Sequence, residues 1–186
     1  MGAMTTDERD RQLAEAVALR ERGEREEARG RLLALAGRWP EDREIAYQTA
    51  WAHDVLGLEA EAVPFYERAL AGDGPGNGAG PGALSGAGPG TLSDEDRAGA
   101  MLGLGSTYRV LGRYEDAERL LRRAVELFPD HGGLRTFLAM ALHNTGRHEE
   151  SIRLLLELLA ATSDDPTVAE LRPAIAFYAK DLSATA

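Results

Sequence analysis

Two histidines close together in the sequence are the first candidates for chemistry. His143 and His148 lie five positions apart, on either side of Gly146. Imidazole nitrogens bind zinc and related metals, but two ligands do not complete such a site, so a carboxylate such as Glu149 would have to join them. A pair of surface histidines is therefore favoured over a metal centre, and we expect no bound metal.

A glycine-rich run, Gly103–Ser106, could in principle bind phosphate. Phosphate-binding loops lie between a strand and a helix, and a Gly-Lys-Ser/Thr sequence completes the commonest of them. Here the run lies inside a predicted helix, no strand precedes it and no such sequence follows. We therefore interpret Gly103 and Gly105 as glycines that let helices pack closely. Because the chain also has no cysteine and no convergent set of titratable groups, we expect neither an enzyme nor a cofactor.

Length and charge restrict the class of partner. The chain has 186 residues, long enough for one domain with a continuous core, and its formal net charge is −10. It contains no stripe of basic residues, so we expect binding neither to nucleic acid nor to anionic membranes. No stretch has the length and apolarity of a signal peptide or a membrane span, which favours a cytoplasmic protein. Met1–Met4 is predicted to be a cloning remnant.

The elements that would position these residues repeat along the chain. Gly23 and Gly57 are 34 residues apart, as are Gly112 and Gly146, and the central gap of 55 residues equals one period plus 21. Small residues recur seven positions before each of these pivot glycines and five positions after it. The first set is Ala16, Ala50, Gly105 and Ala139, and the second is Ala28, Ala62, Ala117 and Ser151. The large residues nine positions after each pivot are Leu32, Tyr66, Leu121 and Leu155. This periodicity predicts an array of helical hairpins.

Residues 72–93 interrupt the array. They contain nine glycines and three prolines in 22 positions, a composition that favours an open chain and buries almost no apolar area. We therefore predict a flexible insert between the second and third hairpins. Asp42 is predicted to cap the first helix of the second hairpin, and Ser93 is predicted to begin the first helix after the insert. Near the C-terminus, Asp165 and Pro166 predict one more helix, over 164–182, that Pro173 breaks or kinks.

The third unit carries the pattern of a known family. Its residues Leu104, Gly105, Tyr108, Gly112, Tyr114, Ala117, Ala124 and Pro129 resemble the tetratricopeptide repeat (TPR) signature at its 34-residue period. The chain is also similar to small stand-alone bacterial TPR proteins of unassigned role. The resemblance implies an all-α, right-handed α-solenoid of about four TPR helical hairpins, with units 1 and 2 at 5–71, units 3 and 4 at 94–163, and a capping helix at 164–182.

The resemblance also implies a concave groove lined by the first helix of each unit. The positions that would face this groove are Leu13, Val17, Tyr47, Trp51, Val55, Leu102, Ser106, Arg109, Val110, Thr136, Met140 and His143. Relatives that clamp a C-terminal carboxylate use Lys, Asn and Arg in this groove, where Tyr47, Trp51 and Leu102 stand here. We therefore do not expect that specificity.

The function that follows is a non-catalytic protein-interaction scaffold that binds a peptide or protein segment in the groove. The partner segment should be apolar, with basic residues that match an acidic rim of Glu21, Glu44 and Asp54. The alternative is a structural module that self-associates through the same surface as a homodimer. A second alternative concerns Trp51 and Tyr47, which could pack between helices and belong to the core instead.

Overall fold

The described part of the chain folds into helices alone. The computed structural model describes residues 6–71 and 92–184, and within these ranges it has nine α-helices and no β-strand. The helices are α1 (Thr6–Glu21), α2 (Arg25–Arg38), α3 (Arg43–Asp54), α4 (Glu59–Ala69), α5 (Asp94–Val110), α6 (Tyr114–Leu127), α7 (Gly132–Asn144), α8 (His148–Thr162) and α9 (Pro166–Tyr178). The predicted all-α helical-repeat class is confirmed.

Two predictions fall on residues outside these ranges. The expected cloning remnant, residues 1–4, is one of them, and the expected insert is the other as far as residue 91. The last two positions of the predicted insert are described. Leu92 is buried, and Ser93 is the residue before α5.

The four pivot glycines each lie in the turn after the first helix of a pair. Their φ angles are +85° at Gly23, +72° at Gly57, +74° at Gly112 and +80° at Gly146. Side chains other than hydrogen disfavour this left-handed conformation, which closes a helix by turning the chain back on its last carbonyls. After Gly23 and Gly146, the next N–H donates to a carbonyl five residues earlier, at 2.9 and 2.8 Å. The repeated glycines therefore mark repeated turns, as their spacing predicted.

The predicted helix starts are also confirmed. The side chain of Asp42 accepts a hydrogen bond from the N–H of Ile45 at 3.0 Å, and Ser93 accepts one from Asp96 at 3.0 Å. Asp165 caps α9 in the same way, with Pro166 at the first helical position. Each cap satisfies a backbone donor that the first turn of a helix leaves without an intrahelical partner.

The first compact unit contains α1 to α5. Each of its helices packs on the next, and α3 also packs on α1 and α5. A hydrophobic cluster joins the first three helices, and its buried members are Leu13, Ala16, Leu32, Leu35, Ala36, Ile45 and Ala52. Because the first helices of successive pairs contact one another, α3 and α5 present neighbouring surfaces.

The second compact unit contains α6 to α9, which pack in chain order. Leu121 on α6 is fully buried, but Leu155, at the same repeat position on α8, is 41 % exposed. Helix α9 packs on α8 and has no buried residue between Pro166 and Tyr178. It therefore covers only part of the apolar surface of α8.

Of the two effects predicted for Pro173, a break or a kink, a break of the last helix does not occur. Helix α9 continues through Pro173 to Tyr178. Proline removes one backbone donor, and the remaining hydrogen bonds of the turns on either side hold the helix.

None of the helices formed by residues 6–71 and 92–184 has the length and apolarity needed to cross a membrane.

Candidate functional site

A cavity of about 410 Å³ opens between α3 and α5 in the first unit. We call it the α3–α5 cavity, and its lining residues are Tyr47, Trp51, Asp54, Val55, Tyr66, Gly99, Leu102, Gly103 and Ser106. Two smaller depressions, of about 270 and 310 Å³, are lined mainly by charged side chains. Binding sites usually combine an apolar lining with a few placed polar groups, and the α3–α5 cavity has that composition.

Two glycines on α5 make room for the tyrosines of this cavity. A Cβ atom added at Gly103 would lie 2.5 Å from Cζ of Tyr66 and still closer to its hydroxyl oxygen. A Cβ atom at Gly99, one turn earlier, would collide with the hydroxyl of Tyr47. Gly99 and Gly103 therefore form a notch in α5, and the interpretation of Gly103 as a packing glycine is confirmed.

Asp54 lies at the polar end of the cavity and is held by two hydroxyl groups. The hydroxyl of Tyr66 donates to Asp54 Oδ2 at 2.6 Å. The hydroxyl of Thr107 lies 3.0 Å from Asp54 Oδ1 and 2.9 Å from the Gly103 carbonyl oxygen, and its single proton can go to either. Two neutral donors fix the position of the carboxylate without neutralising its charge.

Burial dominates the titration of this group. Burial raises the pKa of Asp54 above its ordinary value, and the hydrogen bonds from Tyr66 and Thr107 offset only part of that effect. The neighbouring charge of Glu59 raises this pKa further, and that of His53 lowers it. Burial, followed by the charge of Asp54, also raises the pKa of the Tyr66 phenol. The cavity end is therefore a place where negative charge is poorly compensated.

Trp51 forms the exposed wall of the cavity. It is 40 % exposed and stacks on Tyr47, with ring centroids 5.8 Å apart. The guanidinium carbon of Arg20 lies 3.6 Å from the centre of the Trp51 ring, and Arg20 Nη1 donates to Gln48 at 2.6 Å. These two contacts hold the indole in one orientation, while part of it stays exposed.

Tyr47 and Trp51 differ in exposure: Tyr47 fits the interpretation as a core residue, and Trp51 fits the interpretation as a groove residue. Tyr47 is only 6 % exposed and packs mainly between helices, whereas Trp51 presents a large open surface. Burial raises the pKa of Tyr47 to about 12, and the negative charges of Asp96 and Glu95 contribute to the shift. The hydroxyl of Tyr47 therefore stays protonated at neutral pH.

The acidic residues near the cavity differ in part from those predicted. Asp54 lines the cavity, but Glu44 forms an ion pair with the buried Arg9 at 2.7 Å. Glu95 and Asp96, which act on Tyr47, were not foreseen as neighbours of this surface. They lie in the first turn of α5, so only the packing of α5 beside α3 brings them close.

The twelve residues predicted to line a groove have different positions. Five line the α3–α5 cavity, namely Tyr47, Trp51, Val55, Leu102 and Ser106. Leu13 belongs to the core cluster, and Val17 packs against that cluster. Arg109 is partly buried, and Val110 is exposed at the end of α5. Thr136 and Met140 are partly buried on α7 in the second unit, where His143 is exposed.

Three lining residues were missed by sequence reasoning as site residues: Tyr66, Gly99 and Gly103. Tyr66 gave one usable signal, since it is the only member of its repeat position with a polar group. A buried tyrosine hydroxyl needs a hydrogen-bond partner, which points to a polar neighbour such as Asp54.

The two histidines form a close pair in the second unit. Their Nδ1 atoms are 3.2 Å apart and both rings are exposed. Among the described residues, no group of three or more histidine, cysteine or acidic side chains is placed to hold a metal ion. The geometry suits one neutral imidazole that accepts a hydrogen bond from the other ring.

A charged network in the second unit gives a contrasting environment for a carboxylate. Arg122 donates to both oxygens of Glu150, at 2.7 and 2.8 Å, and to Glu118 Oε1 at 2.8 Å. The hydroxyl of Thr145 donates to Glu118 Oε2 at 2.6 Å. Burial alone would raise the pKa of Glu118, but the hydrogen bonds from Thr145 and Arg122 and the nearby positive charges lower it. This network joins α6 to the α7–α8 turn and leaves no negative charge uncompensated.

Comparison with known families agrees with this architecture. One family model, described as tetratricopeptide repeat, matches residues 13–78, and a second of the same description matches residues 93–175. Together the two ranges cover most of the chain. No curated protein matches it. The chain belongs to the tetratricopeptide repeat family.

Proposed function

We propose that this chain is a non-catalytic interaction module that binds an apolar segment of a partner protein in the α3–α5 cavity. Tetratricopeptide repeats generally mediate protein–protein interactions and are typically non-catalytic. The finer proposal concerns the place of binding and the chemistry of the bound segment. The proposed binding place is the α3–α5 cavity. The predicted groove positions that do not line this cavity are not part of the proposed site.

The main support for the proposal is that Trp51 is both exposed and held in one orientation. Its indole is 40 % exposed at the mouth of an apolar cavity, yet Tyr47 and Arg20 hold it in place. Tryptophan is enriched among residues that dominate binding energy at protein interfaces, and a fixed side chain loses little conformational entropy on binding. The indole is therefore suited to anchor a partner's apolar side chain.

The rigid inner wall of the cavity, formed by Tyr66, supports the same proposal. Tyr66 is 2 % exposed and is locked between Asp54 and the notch at Gly103. A partner would meet a preformed surface and would not have to reorganise the core, which favours affinity.

The proposal can be tested with peptides selected from a random display library on the wild-type protein. Calorimetry on the selected peptides should show at least about tenfold weaker binding to Trp51→Ala, since removing a central aromatic anchor typically costs more than about 1.4 kcal/mol. Val110→Ala is the matched control, because Val110 is an exposed apolar residue of α5 that does not line the cavity.

Three results would contradict the proposal. These are a selection that yields no binding peptide, equal affinities of the wild type and Trp51→Ala, and a loss confined to Val110→Ala. Both variants must keep the wild-type circular dichroism spectrum. Light scattering on the wild-type protein addresses the self-association alternative, in which a homodimer buries Trp51 and dissociates on Trp51→Ala.

A further inference from the structure

The polar end of the α3–α5 cavity holds a charge that lacks a counter-ion. Asp54 accepts hydrogen bonds from Tyr66 and Thr107, and among residues 6–71 and 92–184 no arginine or lysine forms an ion pair with it. A partly buried carboxylate is stabilised most by a cation with which it can also hydrogen-bond. The two hydroxyl groups leave lone pairs of the carboxylate free for such a contact.

The walls of the cavity suit a long aliphatic side chain. Trp51, Val55 and Leu102 supply the apolar surface, and Asp54 lies beside them. Lysine and arginine bury their alkyl stems along apolar surface while their charged heads reach a polar group.

The surrounding charges favour the same ligand. The charge of Glu59 raises the pKa of Asp54, and that of His53 lowers it. The charges of Asp96 and Glu95 raise the pKa of Tyr47, and that of Arg20 lowers it. Acidic groups therefore outnumber basic ones by three to two. Arg20 lies over Trp51 and is hydrogen-bonded to Gln48 rather than to Asp54. An acidic partner segment would be repelled from the cavity end, and a purely apolar one would bury Asp54 without a partner for its charge.

We propose that the α3–α5 cavity takes a lysine or arginine side chain of the partner segment, with its alkyl stem against Trp51 and Leu102 and its cationic head at Asp54. This inference rests on the proposed function, because it names the side chain that the bound segment supplies. It makes a charge contact at Asp54 the basis of specificity, whereas the apolar contact at Trp51 supplies general affinity.

The test uses the peptides selected on the wild-type protein. Each basic residue is replaced in turn by norleucine, which keeps the aliphatic stem and removes the charge, and affinities are measured by calorimetry. At one position the replacement should weaken binding to the wild type by at least about tenfold, as expected for loss of a desolvated charge pair. The same replacement should change binding to Asp54→Asn by less than about twofold, because the variant no longer supplies the charge.

Glu61→Gln is the matched control, since Glu61 is an exposed residue of α4 that does not line the cavity and its change removes the same charge. It should respond to norleucine as the wild type does. If Asp54→Asn does not fold, a peptide with acetyl-lysine at the sensitive position replaces it as the second measurement. Acetyl-lysine should bind the wild type as weakly as norleucine does.

The outcomes separate this inference from the proposed function. Peptides that depend on Trp51 but contain no basic residue would overturn the inference and leave the proposed function intact. So would a norleucine effect of equal size on the wild type and on Asp54→Asn, or an acetyl-lysine peptide that binds as tightly as the lysine peptide. Peptides that bind independently of Trp51 would instead overturn the proposed function.

Discussion

Tyr66 in the first compact unit and Leu121 in the second compact unit occupy the same position of the repeat, nine residues after a pivot glycine. Both are buried. Leu121 needs only apolar neighbours, but Tyr66 also needs an acceptor for its hydroxyl and space for its ring. Asp54 supplies the acceptor, and Gly103 supplies the space. A tyrosine at this core position therefore needs a carboxylate and a notch nearby. Tyr66, Asp54 and Gly103 all line the α3–α5 cavity.

The carboxylates of the two units extend this comparison. Glu118 is paired with Arg122 and Thr145, and its pKa is lowered. Asp54 is bound by hydroxyl groups, and its pKa is raised. The first arrangement stabilises the folded chain at neutral pH, whereas the second leaves charge available for a ligand. If this difference is real, substitutions in the two compact units should differ in the size and the sign of their effect on stability.

Shortening Leu121 should have the largest effect. Its side chain is fully buried, so Leu121→Ala removes apolar contacts and leaves a cavity, which typically lowers the free energy of unfolding by about 2–5 kcal/mol. Urea unfolding followed by circular dichroism measures this change. Glu115→Ala, at an exposed position of the same helix, should be near neutral. A small loss at Leu121 would mean that this repeat position is not part of the core.

Filling the notch with Gly103→Ala should have the second-largest effect on stability. In most helices Gly→Ala is stabilising, but Gly103→Ala would place a Cβ atom against the ring of Tyr66 and should lower stability by about 1–3 kcal/mol. Gly30→Ala is the matched control, because Gly30 lies inside α2 and a Cβ atom added there would meet no other atom within 4 Å. This control should raise stability by about 0.5–1 kcal/mol. Equal effects of Gly103→Ala and Gly30→Ala on stability would show that Tyr66 does not need the space left by Gly103.

Neutralising Glu118 should destabilise the chain in a pH-dependent way. Because the folded pKa lies below the ordinary value of 4.5, the charge stabilises the fold above that pH and stops doing so as pH falls through the folded pKa. Glu118→Gln should therefore lower the free energy of unfolding by about 1–3 kcal/mol at pH 7, and the difference should shrink in acid. Thermal unfolding across this pH range measures it, with exposed Glu126→Gln as the control.

Neutralising Asp54 should have the smallest effect, of opposite sign. Its folded pKa lies above the ordinary value of 3.8, so wild-type stability falls as pH rises from that value through the folded pKa. Asp54→Asn should be as stable as the wild type at pH 7 or more stable by up to about 1 kcal/mol, with no difference below the ordinary pKa. A loss like that of Glu118→Gln would show that Asp54 is already compensated.

The repeat period explains which features could be predicted from the sequence. The turns at Gly23, Gly57, Gly112 and Gly146 depend on local backbone conformation, and the small residues seven positions earlier depend on contacts that recur in every pair. Both kinds of constraint leave a periodic trace. The period does not distinguish the buried Leu121 from the 41 % exposed Leu155, because it does not show which helix covers α8.

The cavity could be predicted only in part, for a physical reason. Trp51 and Val55 were identified from their position on a first helix, but the notch depends on which glycines of α5 face Tyr66. That facing is set by the packing of α5 on α3 and α4, and residues 72–91 separate these helices in sequence. No local pattern carries this information. The acidic residues Glu95 and Asp96 were missed for the same reason.

If a partner segment binds at Trp51 in the α3–α5 cavity, binding must change the fluorescence emission of Trp51. The chain has two tryptophans, so in the Trp39→Phe variant the indole fluorescence comes from Trp51 alone. Titration with a selected lysine-bearing peptide should shift this emission to shorter wavelength and saturate at the Kd found by calorimetry, because the bound segment removes water from the indole. A peptide that binds with the same Kd and leaves the emission of Trp51 unchanged would show that the segment does not bind at Trp51.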